Sequence, residues 1–252
     1  MIEVFILSLI QGITEFLPIS SSSHLIIISN YFNFENQNLS IDVSLHIGSF
    51  LAVVVYFKED IKHFIHNKFL FYKIFFSSLP VMIIGYILVK NNLIAHLRNL
   101  EIIGWTTIIF GILLYISDKF QTSKNIKKNF TIKSAILIGI LQILSLIPGV
   151  SRSGIAITAA RLLNFNRFDS AKISFLLSIP ILGAVSFFGL YNLINSTNVN
   201  FSLLNILSIT FSFLFSLLTI KYFLNFIKKF SLNLFVAYRL VIGILILFFT
   251  YL

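Results

Sequence analysis

Long apolar runs most constrain how this chain can fold. Hydrophobic residues make up 57% of its 252 residues and charged residues 11%, whereas a soluble domain carries about 25% charged residues. Crossing a bilayer core of about 30 Å takes roughly 20 helical residues. The chain has six runs of about that length or slightly less: about residues 43–57, 74–90, 101–117, 171–192, 203–222 and 234–252. The sequence therefore predicts an all-α integral membrane protein.

Two further apolar regions are interrupted by proline. Residues 2–32 are broken at Pro18, and residues 132–162 are broken at Pro148-Gly149. Each leaves half-helices of about a dozen residues, which are too short to cross the bilayer. We expect each region to form a re-entrant helical hairpin, with its irregular backbone surrounded by protein or by a water-filled cavity.

Lysine and arginine concentrate on one side of the predicted spans. Loops 33–42 and 193–202 contain neither residue type. Most of the 19 lie in four other segments: residues 58–73, 118–133, 161–172 and 221–239. The positive-inside rule places those segments in the cytoplasm and both termini on the periplasmic side. The net charge of +10 therefore reflects topology, and we expect no nucleic-acid partner because no continuous basic face could follow a phosphate backbone.

The two broken regions share a motif. Pro18 and Pro148 each begin the pattern Pro-x-x-Ser-x-Ser, which aligns Ser21 with Ser151. The spans that follow each break also lie at similar distances along the sequence from it. We infer an internal repeat, with each copy made of one re-entrant hairpin and three spans.

An odd number of crossings per copy would invert the second copy relative to the first. We therefore predict a single membrane domain, residues 1–252, built from inverted repeats of about residues 1–120 and about residues 131–252. Inverted repeats with broken helices hold their binding site at the interface between the copies. The two polar breaks should therefore face each other.

The first break places polar groups in apolar surroundings, where ionisable side chains indicate function. Gln11 and Glu15 are four residues apart and share a helical face, so Glu15 is a candidate cation ligand or general base. Serines after Pro18 can cap a new helix, and the free N–H groups there also bind phosphate. His24 shares a helical face with Ser21, an arrangement that can activate a hydroxyl nucleophile. The serines are Ser20, Ser21, Ser22 and Ser23.

The second break adds an arginine. Arg152 can grip phosphate oxygens through two parallel hydrogen bonds and keeps its charge. Apolar runs on both sides leave it no nearby water to reach by snorkelling. Ser151, Ser153, Gly149 and Gly154 complete a second turn that can receive an anion.

Structural roles are open for some of these side chains. Glu15 could pin helix packing, and His24 could form an interhelical hydrogen bond. Asp42 and His46 come at the start of the first full span, and we assign them to helix capping or to an interfacial position.

At these stretches the chain resembles the undecaprenyl-diphosphatase family, the bacterial membrane phosphatases associated with bacitracin resistance. The matching segments are Q-x-x-x-E at 11–15, PISSSSH at 18–24 and PGVSRSG at 148–154. The resemblance implies hydrolysis of undecaprenyl diphosphate to the monophosphate, which recycles the lipid carrier for peptidoglycan and cell-wall synthesis. It also implies a divalent cation, Mg²⁺ or Ca²⁺, and a location in the bacterial inner membrane with the site open to the periplasm.

By position, the resemblance makes Ser21 the nucleophile, Arg152 the phosphate clamp and Glu15 the metal-binding or acid–base carboxylate. His24 becomes the acid–base partner, and Gln11 joins Glu15 at the cation. The residues expected to contact substrate are Ser20, Ser22, Ser151, Ser153 and Gly154. The chain departs from the family pattern at Gln11, Ser23 and Ala156, where glutamate, glycine and a hydroxyl residue are frequent.

A secondary transporter or lipid flippase is the alternative function, because inverted repeats with broken helices suit a carrier equally well. The serines and Arg152 would then bind a phosphate-bearing cargo without cleaving it. The acid and imidazole favour the enzyme, since a carrier needs no acid–base pair. Direct attack by water, with Ser21 binding phosphate, is the alternative mechanism, and a homodimer is one of the open oligomeric states.

Overall fold

The chain is helical in a computed structural model that describes residues 1–32, 34, 38–66, 68–91, 93, 97–120, 122–195 and 202–252. Within these residues the only β-type pairing is an isolated bridge between Lys124 and Phe165. A short 3₁₀ helix covers Ile143–Leu146. The α-helices are α1 (Ile2–Thr14), α2 (Ser21–Phe32), α3 (Leu39–Tyr56), α4 (Lys58–His66), α5 (Lys68–Lys90), α6 (Leu100–Asp118), α7 (Ile126–Asn129), α8 (Ile132–Gln142), α9 (Arg152–Leu162), α10 (Arg167–Asn195), α11 (Leu203–Ile227) and α12 (Asn233–Tyr251).

Six of these helices are long and apolar enough to cross a membrane, namely α3, α5, α6, α10, α11 and α12. They coincide with the six predicted spans, so the predicted all-α membrane fold is confirmed. The first span begins at Leu39, earlier than predicted. It does so because the Asn38 side chain caps α3 by accepting a hydrogen bond from the Ile41 N–H at 3.0 Å, which lets the helix tolerate a polar first turn.

Both proline-interrupted regions are broken where predicted. Helix α1 ends at Thr14 and α2 begins at Ser21, with Pro18 between them. The 3₁₀ helix after α8 ends at Leu146, and α9 begins at Arg152. At a rise of 1.5 Å per residue, the 13 residues of α1 extend about 20 Å, which is less than the thickness of the hydrocarbon core.

The packing of the helices is compatible with an inverted repeat. Helix α1 packs against α11 and α8 packs against α5, while α3 contacts α10 and α6 contacts α12. If α1, α3, α5 and α6 correspond in order to α8, α10, α11 and α12, exchanging the two halves reproduces this set of contacts. The repeat, its division near residues 1–120 and 131–252, and the orientation of the termini stay predictions.

Helices α3 and α11 approach closely because small residues line their contact. A Cβ atom added at Gly48 would lie 2.5 Å from the carbonyl oxygen of Ile209. The Ser49 hydroxyl lies 3.2 Å from that of Ser212 and 3.0 Å from that of Ser216. Small residues and hydroxyl hydrogen bonds hold helices together where lipid provides no hydrophobic driving force. This contact fixes α11, which in turn packs on α1 and positions the first break.

Candidate active site

The first break holds a buried carboxylate at the end of α1. Glu15 follows the last helical residue, and its backbone N–H donates to the carbonyl of Gln11. The Gln11 Nε2 atom donates to Glu15 Oε2 at 3.1 Å, as expected for side chains four residues apart on a helix. Both side chains are buried, with Gln11 fully enclosed and Glu15 8% exposed.

Ser21 is hydrogen-bonded directly to this carboxylate. Its Oγ atom donates to Glu15 Oε2 at 2.6 Å. Ser21 is the first residue of α2, so its hydroxyl lies beside the N–H groups that begin a helix and that favour an anion. The structure therefore brings together a candidate nucleophile, a candidate base and the N-terminus of a helix.

Both breaks end in a strained serine. Ser20 has φ 73° immediately before α2, and Ser151 has φ 71° immediately before α9. Left-handed backbone costs a residue with a Cβ atom about 1–2 kcal/mol. These two serines are one residue further apart than the two prolines, so the equivalent helix starts are Ser21 and Arg152. The helix starts are thus offset by one residue from the motif alignment of Ser21 with Ser151, because the second break has one more residue between its proline and its helix.

The two breaks face each other, as predicted from the repeat, and an ion pair joins them. Arg152 Nη2 donates to Glu15 Oε1 at 3.0 Å and lies 3.4 Å from the Glu15 carbonyl oxygen. Ser153 Oγ donates to the carbonyl of Leu17 at 2.7 Å. The two charged side chains are 11% and 7% exposed, so the pair lies inside the protein. Each carboxylate oxygen of Glu15 thus has a distinct partner, the arginine on one side and Ser21 with Gln11 on the other.

Two buried polar atoms of this centre have no hydrogen-bond partner within the described part of the chain: Arg152 Nε and Gln11 Oε1. Arg152 Nη1 makes a long contact of 3.4 Å to the Ser174 carbonyl. Because buried polar groups are normally paired, these atoms have capacity for a ligand. A guanidinium donor suits a phosphate oxygen, and an amide oxygen suits a hard cation.

Neither ring nitrogen of His24 is hydrogen-bonded to Ser21. Its Nδ1 atom lies 2.7 Å from the Ser20 carbonyl, and its Nε2 atom lies 2.6 Å from the hydroxyl of Tyr238 on α12. The imidazole and phenol rings are stacked with their centroids 5.7 Å apart. The predicted pairing of Ser21 with His24 is therefore absent from this structure, because the Ser20 carbonyl and Tyr238 occupy both ring nitrogens and Ser21 donates to Glu15.

The other serines predicted to contact substrate are largely bonded to the protein. Ser20 Oγ lies 2.9 Å from Ser23 Oγ and 3.4 Å from that of the exposed Ser22. Ser151 Oγ accepts from the Gly154 N–H at 3.1 Å and caps α9. These contacts shape the two helix starts. Among the predicted substrate ligands, Ser22 has the most exposed side chain.

Arg239 is a residue of this centre that sequence reasoning missed. The positive-inside pattern predicts a cytoplasmic loop for it, but Arg239 lies inside α12 and is 1% exposed. Its Nη1 atom donates to the carbonyls of Pro18 and Val150, both at 3.1 Å, and its Nη2 atom to that of Gly149 at 2.8 Å. Its Nε atom donates to the carbonyl of Thr107 at 3.1 Å. One guanidinium thus satisfies backbone carbonyls from both breaks.

A signal for Arg239 was present in the sequence. Apolar residues surround it on both sides, which is the same pattern that distinguished Arg152. Tyr238, the partner of His24, carried no comparable signal because tyrosine is common in membrane helices. Asp42 and His46 are predicted to cap a helix or to lie at the interface; Asn38 is the residue that caps α3, and His46 Nδ1 lies 2.8 Å from the carbonyl oxygen of Asp42.

Within the described residues, no group of three or more His, Cys, Asp or Glu side chains could enclose a metal ion. Any cation here would therefore be held by few protein ligands. Glu15 and the unpaired Gln11 Oε1 provide two oxygens, and Mg²⁺ commonly combines one or two carboxylates with water and substrate phosphates.

The fold and the site define a multi-pass membrane protein whose polar centre is formed by two broken helical hairpins. The model of the family described as "Bacitracin resistance protein BacA" matches residues 4–245. The chain belongs to this family.

Relatives cover nearly the whole chain. An undecaprenyl-diphosphatase of Pelagibacter ubique is 51% identical over 252 residues, covering 99% of this chain and 98% of the relative. An undecaprenyl-diphosphatase of Saccharophagus degradans is 41% identical over 94% of this chain and 93% of its own length. One of Campylobacter curvus is 39% identical over 98% of each chain. Membership in this family makes the protein a hydrolase.

Proposed function

We propose that this protein hydrolyses undecaprenyl diphosphate to undecaprenyl phosphate and inorganic phosphate, and so returns the lipid carrier to peptidoglycan synthesis. The observation that carries the proposal is the chain of contacts from Ser21 through Glu15 to Arg152. It joins the hydroxyl of a serine, a carboxylate that can act as a base, and an arginine side chain that can bind phosphate, in one buried centre. The names of the relatives support the substrate.

In the proposed mechanism, Ser21 Oγ attacks the terminal phosphorus as its proton passes to Glu15 Oε2. The bond from phosphorus to the bridging oxygen breaks, and undecaprenyl phosphate leaves with those electrons. Water then attacks the phosphoserine, releasing phosphate and restoring the hydroxyl. Positioning and neutralisation of charge are most of what phosphoryl transfer requires, and the free donors of Arg152 would provide them.

A divalent cation fits the same centre. Glu15 and Gln11 Oε1 would hold it, and the diphosphate would complete its coordination. When bound, the cation would neutralise phosphate oxygens and polarise the terminal phosphorus. Glu15 would then have two tasks, since it would help to hold the cation and would also accept the hydrogen bond from Ser21.

The test measures phosphate release from undecaprenyl diphosphate by purified protein in detergent, with and without EDTA. We expect release that depends on the metal, that falls by at least about a hundredfold in Ser21→Ala, and that is lost in Arg152→Ala. Ser123→Ala is the control, because it removes an exposed hydroxyl between α6 and α7, outside the candidate site, and should retain activity.

Two outcomes would contradict parts of this proposal. No release from well-folded wild-type protein would favour the transporter, with Arg152 as a cargo-binding residue. Full release by Ser21→Ala would show that water attacks phosphorus directly.

A further inference from the structure

An apolar groove lies between α1, α11 and α12. It is a largely open groove with a volume of about 420 Å³, and its lining side chains include Leu17, Leu218, Tyr222, Phe226 and Phe235. We call this the aromatic groove. Two of the lining side chains carry a hydroxyl, those of Thr219 and Tyr222, and the others are apolar. The Thr219 hydroxyl donates to the carbonyl of Phe215 in its own helix at 2.8 Å, so the groove offers a ligand mainly apolar contacts. Its volume lies within the range of small-molecule pockets, about 300–1,000 Å³.

The groove exists because α1 is a half-length helix. Up to Gly12, α1 packs tightly on α11, since a Cβ atom at Gly12 would lie 2.5 Å from Phe215 Cβ. Helix α1 then ends at Thr14, whereas α11 continues to Ile227. The α11 face from Phe215 to Phe226, about 16 Å long at 1.5 Å per residue, extends past the end of α1. The break that creates the active site therefore also creates the groove.

One end of the groove borders the active site through two elements. Leu17 is two residues after Glu15, and its carbonyl accepts the hydrogen bond from Ser153. Phe235 lies one helical turn before Tyr238, whose hydroxyl contacts His24. A ligand whose phosphate lies at Glu15 would thus have the groove directly beside it.

The groove is open to the outside of the helix bundle, and packed aromatic rings form its floor. Tyr222 is 64% exposed and Leu218 is 47% exposed, so a membrane lipid can enter without passing through the protein. The Phe235 ring packs edge to face against Phe223 and Phe226, with centroids 5.3 and 5.8 Å apart. These paired rings form a rigid surface for a branched hydrocarbon chain.

We propose that the aromatic groove binds the phosphate-proximal part of the polyprenyl tail while the diphosphate lies at Glu15 and Arg152. This inference rests on the proposed function. Lipid tails surround the groove on its open side, so its affinity must come from packing. The tail of a bound substrate has an advantage over free lipid because it is tethered beside the groove, which raises its effective concentration there.

The test uses a variant that fills the groove with a larger side chain, and it measures tail binding and headgroup binding separately. Leu218→Trp adds bulk inside the groove. Ile244→Trp makes the same kind of change at a lipid-exposed position of α12 outside it, where Ile244 is 59% exposed. The KM for undecaprenyl diphosphate measures binding of headgroup and tail together. The Ki of isopentenyl diphosphate as a competitive inhibitor measures the headgroup site, because its single isoprene unit is too short to lie along the groove.

We expect Leu218→Trp to raise the KM for undecaprenyl diphosphate about tenfold, the effect of losing a few packed carbon groups. The Ki of isopentenyl diphosphate should not change, and Ile244→Trp should leave both constants as in the wild type. An unchanged KM in Leu218→Trp would overturn the tail site, as would a parallel rise of KM and Ki or an equal effect of Ile244→Trp. Wild-type protein that releases no phosphate would instead overturn the proposed function, and the tail site with it.

Discussion

At the scale of single residues, the contacts of the site converge on Glu15. Its carboxylate accepts hydrogen bonds from Ser21, Gln11 and Arg152. A buried carboxylate in a membrane protein is costly unless it is paired, and the pairing here comes from the other half of the chain. Glu15 is therefore both the proposed base and the residue that keeps the two breaks together.

We predict that Glu15→Gln lowers kcat by about 10²–10⁴, the usual contribution of a positioned base. The amide has nearly the same shape but accepts no proton from Ser21. It also leaves Arg152 as an uncompensated buried charge, which should lower the free energy of unfolding by about 3–5 kcal/mol. Phosphate release and thermal unfolding in detergent check the two effects.

Glu101→Gln is the control for this substitution, because Glu101 is exposed on α6 and should change neither quantity much. A Glu15→Gln protein with wild-type kcat would contradict the role of Glu15 as the base.

At the scale of elements, the two broken hairpins are held in position relative to each other by a residue from a third helix. Arg239 of α12 supplies it by donating to carbonyls at Pro18, Gly149 and Val150. Irregular backbone in a membrane is tolerated where protein satisfies its polar groups, and here one side chain serves both breaks. A shift of Arg239 should therefore displace Ser21 and Arg152 relative to each other.

We predict that Arg239→Lys lowers kcat about a hundredfold, because a misplacement of about 1 Å can cost that much. Lysine keeps the charge but lacks the planar fork, and Arg239→Met, which has no donor, should be worse. Kinetics measured per folded molecule, with unfolding followed in parallel, separate positioning from stability. Arg98→Met, at an exposed arginine, is the control. Wild-type kcat in a folded Arg239→Met protein would show that the contacts serve stability alone.

Gly149 is the point where the second break passes closest to a neighbouring helix. Its φ is 92°, and an added Cβ atom would lie 2.0 Å from Thr106 Oγ1 of α6. We predict that Gly149→Ala lowers the free energy of unfolding by about 1–3 kcal/mol, which is the typical cost of overpacking. The substitution should also displace Arg152, so that activity falls.

Gly85→Ala is the matched control for Gly149→Ala. A Cβ atom there would meet only the flexible end of Leu146, at 3.2 Å. Thermal unfolding of the two variants should differ clearly, and equal melting temperatures would argue against the close approach.

At the scale of the whole molecule, a second buried charge cluster ties the end of α6 to both ends of the segment between α9 and α10. Arg167 makes two hydrogen bonds to the Asp118 carboxylate, at 2.7 and 2.9 Å, and Arg161 Nε lies 3.4 Å from the same group. Arg161 also donates to the carbonyls of Asp118, Phe120 and Phe165. One acid therefore compensates two arginines at the junction of these helices.

We predict that Asp118→Asn lowers the free energy of unfolding by about 3–5 kcal/mol, because it leaves buried positive charge without its counter-ion. Thermal unfolding in detergent checks this effect. Glu59→Gln removes an exposed partner of Lys62 and should cost about 0–1 kcal/mol. A melting temperature of Asp118→Asn equal to that of the control would contradict the cluster's stabilising role.

Much of the fold and part of the site follow from local patterns. Span length and the two prolines predict the helices and their breaks, since both depend on residues that are close in sequence. Glu15 and Arg152 could be identified because a charge inside an apolar run is rare. The partner of Ser21 could not be identified in this way. A shared helical face shows which residues are near one another, but it does not show that His24 bonds to Tyr238 of α12 and leaves Ser21 to Glu15.

The sequence by itself determined that this protein is a bundle of membrane helices with two polar breaks, because apolar length, proline and charge act locally. The tertiary structure decided that Ser21 pairs with Glu15, that Arg152 reaches Glu15 from the other half, and that Arg239 holds both breaks. Those contacts join residues as far as 221 positions apart. They depend on which helix ends lie side by side, which no local pattern specifies.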